Sequence, residues 1–455
     1  MSEHLAFLHL SDIHFRSALS GGVHDLDEDL RAELERDVVH LSEKLGPLAG
    51  ILVTGDIAFA GLPEEFQVAK EWLGALCQSL KCPAQNVWTV PGNHDVDRQQ
   101  VGRGKILRNF RQEIRDVPEG QIDECLREWL TDTTTGPQLF SPLRNYIEFA
   151  GPFECDLGVD RLSWHKDLSL NDGSTLRLLG LNSVLASDEL DDDGSHKLIV
   201  GAAQCRLERE DGVEYLVMCH HPPQWLRDAD TFNDRINSRS HVHLYGHKHR
   251  QRLEQVNESL RLYAGALHPD RKERGWEPRY NYLTCAIDGT GSNRALAIGV
   301  WSRVWSETET KFLAELSENA EAVRRYSFAV DQWSPPQRLE PPAPVVSDRV
   351  APVASATEKT HGEPKGGHMD ATRRLAYRFL TLPYSKKVQI ALRLGLLLDE
   401  DQGVDETELY RRFFHRARAK SQLPALWTEV ESQYTDGDTA SNPFEGEPST
   451  KTKEE

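Results

Sequence analysis

The chain has 455 residues, 38% hydrophobic and 27% charged, a composition that excludes global disorder and allows two domains or one large domain with an appendage. Its net charge of −19 disfavours a broad electrostatic grip on duplex nucleic acid. The sequence has no run of about 18 apolar residues, no signal-peptide pattern at the N-terminus and no zinc or disulfide spacing among its seven cysteines. These features predict a cytoplasmic protein with reduced thiols and no membrane segment.

Short apolar runs alternate with amphipathic helical stretches over the first 330 residues. Predicted strands at 5–12, 50–56 and 86–90 enclose predicted helices at 27–45 and 64–80, and strand–helix–strand order favours an α/β layer architecture. The later strands follow one another quickly, as in a second sheet, and they lie at 176–183, 214–221, 241–249, 260–267 and 280–287.

The chain pattern predicts four segments. Residues 1–333 form a main domain with a helical insertion at about 96–164, where helices are expected at 105–116, 121–132 and 141–150. Residues 334–368 are rich in proline and small residues and read as a linker. Residues 369–434 have the pattern of a small all-α domain, and the polar stretch 435–455 is predicted to be disordered.

Five short polar motifs each follow an apolar run. Ligands on loops at strand ends can converge, because a sheet aligns those ends on one edge. The motifs are Asp12-Ile13-His14, Gly55-Asp56, Gly92-Asn93-His94-Asp95, His220-His221 and Gly246-His247-Lys248-His249.

Carboxylate, imidazole and amide oxygen ligands suit Mn²⁺, Fe or Zn²⁺. Two such ions about 3.5–4 Å apart hold a phosphate, generate hydroxide from water and stabilise the developing charge. His94, with Asp95 beside it, is well placed to give a proton to a leaving oxygen or to stabilise the transition state. A lone Asp-x-His is most often chance, but all five motifs in this order make chance implausible.

These motifs resemble those of the calcineurin-like metallophosphoesterases over roughly residues 4–300. The resemblance implies a four-layer α/β/β/α sandwich with two central sheets, to which this chain adds the small all-α C-terminal domain. It also implies two divalent ions, with Mn²⁺ expected first. One ion would take Asp12, His14, Asp56 and His249, and the other would take Asp56, Asn93, His220 and His247.

The fourth motif offers two adjacent histidines. We assign His220 as the ligand, because the family ligand directly follows the apolar strand, and we expect His221 to orient substrate or to support a ligand. Other candidate substrate contacts are Arg16 and Asn182. The stretch from Arg98 to Arg115 is locally basic and could meet phosphates, although for any one of its residues a solvated helix face is the favoured interpretation.

The helical domain is mildly basic, with 11 Lys and Arg against 7 Asp and Glu over residues 370–427. Its pattern resembles the small adaptor domains of bacterial conflict systems, which recruit an enzyme to a protein partner. The alternative is a generic helical bundle that packs on the enzyme or mediates homo-oligomerisation.

The sequence therefore predicts a metal-dependent phosphodiesterase that acts on nucleic acid or nucleotides by means of hydroxide generated on the ions, with a role as a bacterial antiviral defence nuclease. The alternatives are a cyclic-nucleotide phosphodiesterase, a phosphoprotein phosphatase, and a metal-binding interaction protein without activity.

Overall fold

A computed structural model describes residues 4–16, 25, 27–101, 104–188, 191, 198–269 and 277–335, and in the C-terminal part 375–376, 378–380, 382, 384–398, 401 and 406–432. The chain divides into two compact units, residues 1–341 and 342–455. Most of the predicted linker at 334–368 and all of the predicted tail at 435–455 lie outside the described residues, so the domain boundaries stay predictions.

The first sheet of the N-terminal unit has its parallel strands at one edge and antiparallel strands at the other. Its order is β12-β11-β10-β1-β2-β3, and β13 also pairs with β11. Strands β1, β2 and β3 are parallel, and β10 runs antiparallel to β1. The strands are β1 (Leu5–Leu10), β2 (Gly50–Val53), β3 (Val87–Thr89), β10 (Arg279–Asp288), β11 (Ala295–Ser306), β12 (Lys311–Ala314) and β13 (Arg324–Ala329).

The second sheet has the order β4-β5-β6-β7-β9-β8. Its central strands β5, β6, β7 and β9 are parallel, and β4 and β8 close the two edges in antiparallel fashion. The strands are β4 (Trp164–Ser169), β5 (Thr175–Gly180), β6 (Val213–Cys219), β7 (Ser240–Tyr245), β8 (Arg252–Val256) and β9 (Ser259–Tyr263).

Side chains of the second sheet alternate between two cores, because successive residues of a strand point to opposite faces. In β6, Leu216 and Met218 belong to the large core that includes the first sheet, whereas Val217 and Cys219 belong to the core that includes helix α8 (Ala229–Asn237). Helices α1 (Glu28–Leu45) and α2 (Pro63–Ser79) bury their apolar stripes in the large core. This arrangement confirms the predicted four-layer α/β/β/α sandwich.

The segment between β3 and β4 is helical, as the sequence pattern indicates. Its packing includes an edge-to-face contact between Phe110 and Trp129, with ring centres 5.6 Å apart. The Tyr146 hydroxyl donates to the Thr89 carbonyl oxygen at 3.0 Å and so ties the segment to β3. The helices are α3 (Arg98–Val101), α4 (Lys105–Asp116), α5 (Ile122–Thr131), α6 (Gly136–Leu139) and α7 (Arg144–Ala150).

The regular secondary structure in the described part of the C-terminal unit is helical. Helices α9 (Tyr384–Arg393), α10 (Glu406–Ala419) and α11 (Leu423–Glu431), with helical residues at 375–376 and 378–380, enclose an apolar core. Phe379 packs against Tyr410 in that core, with ring centres 5.6 Å apart. Among the helices of the described residues, none is long and apolar enough to span a bilayer.

Candidate metal centre

The five polar motifs lie where parallel strands end. The loops after β1, β2 and β3 carry the first three motifs, and the loops after β6 and β7 carry the last two. Because neighbouring parallel strands end at the same sheet edge, each sheet gathers its own motifs. Backbone hydrogen bonds join the first two loops, since the Asp12 amide donates to the Gly55 carbonyl oxygen at 3.0 Å and the His14 amide to that of Asp56, also at 3.0 Å.

Several motif residues adopt a left-handed backbone conformation, which costs a residue with a side chain about 1–2 kcal/mol. Their φ angles lie between 52° and 69°. Such strain persists only where the surroundings impose it, and it is common at functional sites. The residues are Asp12, His14, Asp56, His247 and His249.

Two motif glycines are required by close approach. A Cβ atom on Gly92 would lie 2.1 Å from Asp56 Oδ1, and one on Gly246 would lie 2.3 Å from Ser11 Oγ. Neither position has room for a side chain, so these glycines let the loops pack tightly around the carboxylates.

Asp56 lies at the centre of the cluster. Its Oδ2 atom is 3.3 Å from His14 Nε2 and 3.3 Å from His220 Nε2. Its Oδ1 atom accepts the backbone N–H of His94 at 2.8 Å, which fixes the orientation of the carboxylate. One carboxylate oxygen therefore faces histidines from both sheets.

Asp12 and His249 lie on the His14 side of Asp56. Asp12 Oδ2 accepts hydrogen bonds from Ser11 Oγ at 2.5 Å and from the His247 backbone N–H at 3.2 Å. Asp12 Oδ1 is turned instead toward His249 Nε2, at 3.3 Å. The rings of His14 and His249 have their centres 5.3 Å apart.

Asn93, His220 and His247 lie on the other side. Asn93 Oδ1 is 3.0 Å from His247 Nδ1 and 3.2 Å from His221 Nε2. His220 Nδ1 donates to the Thr54 carbonyl oxygen at 2.7 Å, which leaves Nε2 to face Asp56. A proton on Nδ1 makes Nε2 the available ligand atom.

The donor set fits divalent cations. Asp12 Oδ1 and His220 Nε2 are buried and have no hydrogen-bond partner, although each faces another ligand-type atom at 3.3 Å. Buried polar atoms that are left unpaired are costly, and a cation between them would satisfy them. Ligand atoms within 4.8 Å of one another include the sets Asp12–His14–His249, Asp12–Asp56–His220 and His220–His221–His247.

The electrostatics favour ionised carboxylates. Burial acts to raise the pKa of Asp12, but His249 and His220 lower it to about 2. Burial likewise acts to raise the pKa of Asp56. His220 and His94 outweigh it and hold that pKa well below its usual range. Burial lowers the pKa of His220, yet the Asp56 carboxylate raises it to about 9. Since imidazole must be neutral to bind a metal, a cation would compete with this proton.

His94 and Asp95, the predicted catalytic pair, have different surroundings. A ring nitrogen of His94 lies within 4.8 Å of the ligand atoms of His14 and Asp56, and His94 Nδ1 is 2.7 Å from the Phe59 carbonyl oxygen. Asp95 is fully buried and accepts backbone N–H groups of Ile57, Ala58 and Gly92 at 2.8–2.9 Å. These contacts make Asp95 a clamp between two motif loops, and its catalytic role stays a prediction.

The three predicted substrate contacts also have different surroundings. The guanidinium carbon of Arg16 lies 3.9 Å from the centre of the Phe59 ring, near His94. Asn182 is fully buried, and its Oδ1 accepts the Val184 backbone N–H at 2.9 Å, so its contacts are those of a loop-stabilising residue. His221 is also fully buried.

The Ser183 hydroxyl oxygen is 2.9 Å from His221 Nδ1, and His221 Nε2 contacts Asn93 Oδ1. A hydroxyl that donates to Nδ1 leaves the proton on Nε2, which then donates to the Asn93 oxygen. Ser183 and His221 therefore orient Asn93. Of the two roles expected for His221, its contacts fit support of a metal ligand.

Two aromatic residues at the site were not predicted. Phe59 follows the Gly-Asp motif by three residues and supplies the carbonyl oxygen for His94. Trp225 lies against His247, with ring centres 4.0 Å apart. Each aromatic residue follows a motif within four residues in the sequence. That proximity could have drawn attention to both, but it does not predict which side chain or carbonyl oxygen they contact.

Comparison with known families agrees with this geometry. The family model for calcineurin-like phosphoesterases matches residues 5–251, more than half of the chain. The chain belongs to the calcineurin-like phosphoesterase family. The family binds divalent metals, and the predicted family resemblance is confirmed. A second model, that of the GTPase-associated adaptor domain, matches residues 371–432 and confirms the predicted adaptor resemblance of the helical segment.

Two curated proteins are similar to parts of this chain. The metallophosphoesterase-like protein YydB of Bacillus subtilis (strain 168) is 24% identical over 279 residues, which cover 58% of this chain and 54% of YydB. The glycerophosphodiester phosphodiesterase GpdQ of Enterobacter lignolyticus (strain SCF1) is 34% identical over 151 residues, which cover 28% of this chain and 47% of GpdQ. The chain spans about half the length of these relatives.

Solved structures that match the phosphoesterase include two sorting proteins. Vacuolar protein sorting 29 from Cryptosporidium parvum matches 72% of this chain and 100% of its own, at 13% identity and a TM-score of 0.31. Vps29 from Chaetomium thermophilum matches 71% of this chain and 98% of its own, at 11% identity and a TM-score of 0.27.

Proposed function

We propose that this phosphoesterase is a dinuclear phosphodiesterase, with Mn²⁺ as the first metal to test. The observation that carries the proposal is the position of Asp56 Oδ2, 3.3 Å from a histidine of each sheet. An oxygen that faces both ligand groups can serve as the bridging atom between two ions. Asp12, His14 and His249 would hold one ion, and Asn93, His220 and His247 would hold the other, with Asp56 between them.

When two divalent ions are bound, they supply charge neutralisation for the phosphate and activation of the attacking water. The chain's own residues supply orientation. The Ser11 hydroxyl and the His247 amide hold one oxygen of Asp12, so the other oxygen remains directed into the cluster. The Thr54 carbonyl oxygen holds His220 by its Nδ1–H in the same way.

His94 is proposed to give a proton to the leaving oxygen. A carbonyl oxygen only accepts, so the contact with the Phe59 carbonyl oxygen keeps a proton on His94 Nδ1. The Nε2 atom is then the one that exchanges a proton with substrate. Burial lowers the pKa of His94, with His14 and Arg98 acting in the same direction against Asp56. A lower pKa makes the imidazolium a stronger acid but reduces the fraction that carries a proton on Nε2, so His94 must take up that proton before the leaving oxygen departs.

We propose nucleotides or nucleic acid strands as the substrate class, with Arg16 as a phosphate contact. The relative named as a glycerophosphodiester phosphodiesterase supports a diester preference. The net charge of −19 supports a locally gripped strand end or a small nucleotide over a long duplex.

The test is a rate comparison on the purified full chain loaded with Mn²⁺. Bis-p-nitrophenyl phosphate and p-nitrophenyl phosphate share a leaving group, so their kcat/KM ratio reports the preference for diester over monoester. We expect the diester to be favoured at least about tenfold, and a panel of cyclic nucleotides, RNA, single-stranded DNA and duplex DNA then identifies the substrate. No hydrolysis of either aryl ester would contradict the proposal, and preference for the monoester would favour a phosphatase.

We further propose that the helical unit recruits the enzyme to a protein partner in bacterial defence. The adaptor-domain match supports recruitment to a protein partner, as do three exposed leucines of that unit, namely Leu380, Leu392 and Leu398, which are 43–59% exposed. The defence role rests on the sequence resemblance alone. Affinity purification from the native host should recover a partner with the full chain but not with Leu392→Glu. A partner equally recovered by a chain that ends at residue 335 would contradict the proposal.

A further inference from the structure

Two arginines lie beside one aromatic ring next to the metal centre. The guanidinium carbon of Arg16 is 3.9 Å from the centre of the Phe59 ring, and that of Arg98 is 6.0 Å from it. Such distances are those of cation–π contacts, which hold long side chains in place. We call Arg16, Phe59 and Arg98 the arginine rim.

The arginine rim adjoins the residue proposed to protonate the leaving oxygen. Arg98 Nη2 lies 2.9 Å from His94 Nδ1 and 3.2 Å from His94 Nε2, so the guanidinium lies against the imidazole ring. The rings of Phe59 and His94 have their centres 5.4 Å apart. The arginine rim therefore lies on the leaving-group side of the site.

A cavity beside Arg98 also has acidic residues in its lining. This cavity of about 230 Å³ is lined by Asn93, Arg98, Asp188 and Asp191 among others. Asp188 pairs with Arg115, and Asp191 accepts the Ser187 hydroxyl at 2.5 Å. The two carboxylates disfavour a phosphate inside this cavity, whereas the two guanidinium groups beside Phe59 favour one.

We propose that the arginine rim binds a second phosphate of the substrate, on the nucleoside that leaves. This inference rests on the proposed phosphodiesterase function and narrows its substrate class. The scissile phosphate would be neutralised by the metal ions, so two further cations at the leaving-group side suit a further anion. The substrate would then be a strand or nucleotide with a phosphate beyond the scissile diester, and not a diester of an uncharged alcohol.

The experiment compares three thymidine dinucleotides with the Mn²⁺-loaded full chain. TpT has only the scissile diester, pTpT adds a phosphate to the 5′ nucleoside, and TpTp adds one to the 3′ nucleoside. The products of TpT show which nucleoside leaves. We expect kcat/KM to rise about 10- to 100-fold for the isomer that has its extra phosphate on that nucleoside, the size of a charge-assisted contact.

The ratio of kcat/KM for that isomer to kcat/KM for TpT is the quantity to compare among variants, because changes in the chemical step cancel in it. Arg98→Ala and Arg16→Ala should bring the ratio toward one. Arg127→Ala removes the same charge from an exposed ion pair on α5 and should leave the ratio unchanged. Added salt should also lower the ratio in the wild-type chain.

A second readout needs no turnover. Thymidine 3′,5′-bisphosphate and thymidine 5′-monophosphate can be titrated into chelator-treated full chain by calorimetry, and only the preference for the bisphosphate should fall on Arg98→Ala. A wild-type ratio of one for both isomers, with TpT still cleaved, would overturn the inference alone. If neither TpT nor bis-p-nitrophenyl phosphate is cleaved, the proposed function is overturned as well.

Discussion

The two compact units of this protein bury different kinds of side chain. The N-terminal unit holds ionisable groups at full burial, such as Asp12, Asp56 and His220, several of them in a strained backbone conformation. The described part of the C-terminal unit has an apolar core, and its buried carboxylate, Asp401, is paired with Arg412 and Arg416. The first unit therefore keeps ligand-type atoms available for a ligand, whereas in the second unit the buried carboxylate of Asp401 is satisfied by ion pairs.

The largest expected effect follows removal of the shared carboxylate. Asp56→Ala should eliminate both metal ions, because Asp56 Oδ2 is the atom placed between the two ligand groups. We expect hydrolysis of bis-p-nitrophenyl phosphate to fall more than about 1,000-fold. Metal per chain should be measured by atomic emission spectrometry on the same sample, with the exposed Asp160→Ala as the control. A variant that retains two metal equivalents would contradict the bridging role.

His94→Ala should affect chemistry without removing metal. For a dinucleotide, whose leaving alkoxide needs a proton, we expect kcat to fall about 100- to 10,000-fold. For bis-p-nitrophenyl phosphate the loss should be less than about tenfold, because p-nitrophenolate leaves without a proton. The two substrates act as controls for each other. Equal losses on both would mean that His94 acts in another way.

Ser183→Ala tests the hydrogen-bond relay behind Asn93. Without the Ser183 hydroxyl, His221 loses the contact that fixes its ring. We expect metal affinity to fall about tenfold, at the low end for a residue that supports a ligand. Chelator competition measures this affinity. The control is Ser238→Ala, because the Ser238 hydroxyl donates to the Arg235 carbonyl oxygen, away from the metal centre. Unchanged affinity would indicate that Asn93 needs no support.

The smallest expected effect follows removal of the helical unit. A chain that ends at residue 335 keeps Trp333, whose ring lies against Gly212 and within cation–π distance of Arg294. We expect kcat/KM for bis-p-nitrophenyl phosphate to stay within about twofold, because the site belongs to a unit with its own core. An inactive truncation that remains folded by circular dichroism would mean that the helical unit completes the site.

Much of the fold could be predicted from local pattern. Helix α4 has the predicted bounds of 105–116, because its apolar residues repeat at helical spacing and its segment is amphipathic. The motif residues could be found because each follows an apolar strand, and parallel strands gather their ends. The sandwich itself was predicted through family resemblance.

The supporting contacts of the site could not be predicted, since they join residues far apart in sequence. His221 meets Asn93 across 128 positions, and His94 meets the Phe59 carbonyl oxygen across 35. No local pattern encodes which backbone oxygen lies against which ring. Asp95 illustrates the consequence, because its place in a catalytic motif suggests chemistry whereas its contacts are those of a loop clamp.

The central claim is that Asp56 joins two metal sites. Crystals of the full chain grown with Mn²⁺ and measured at the manganese absorption edge test it directly. We predict two anomalous peaks about 3.5–4 Å apart, one toward His14 and His249 and one toward His220 and His247, with Asp56 Oδ2 between them. A single peak, or peaks that Asp56 does not contact, would contradict the account.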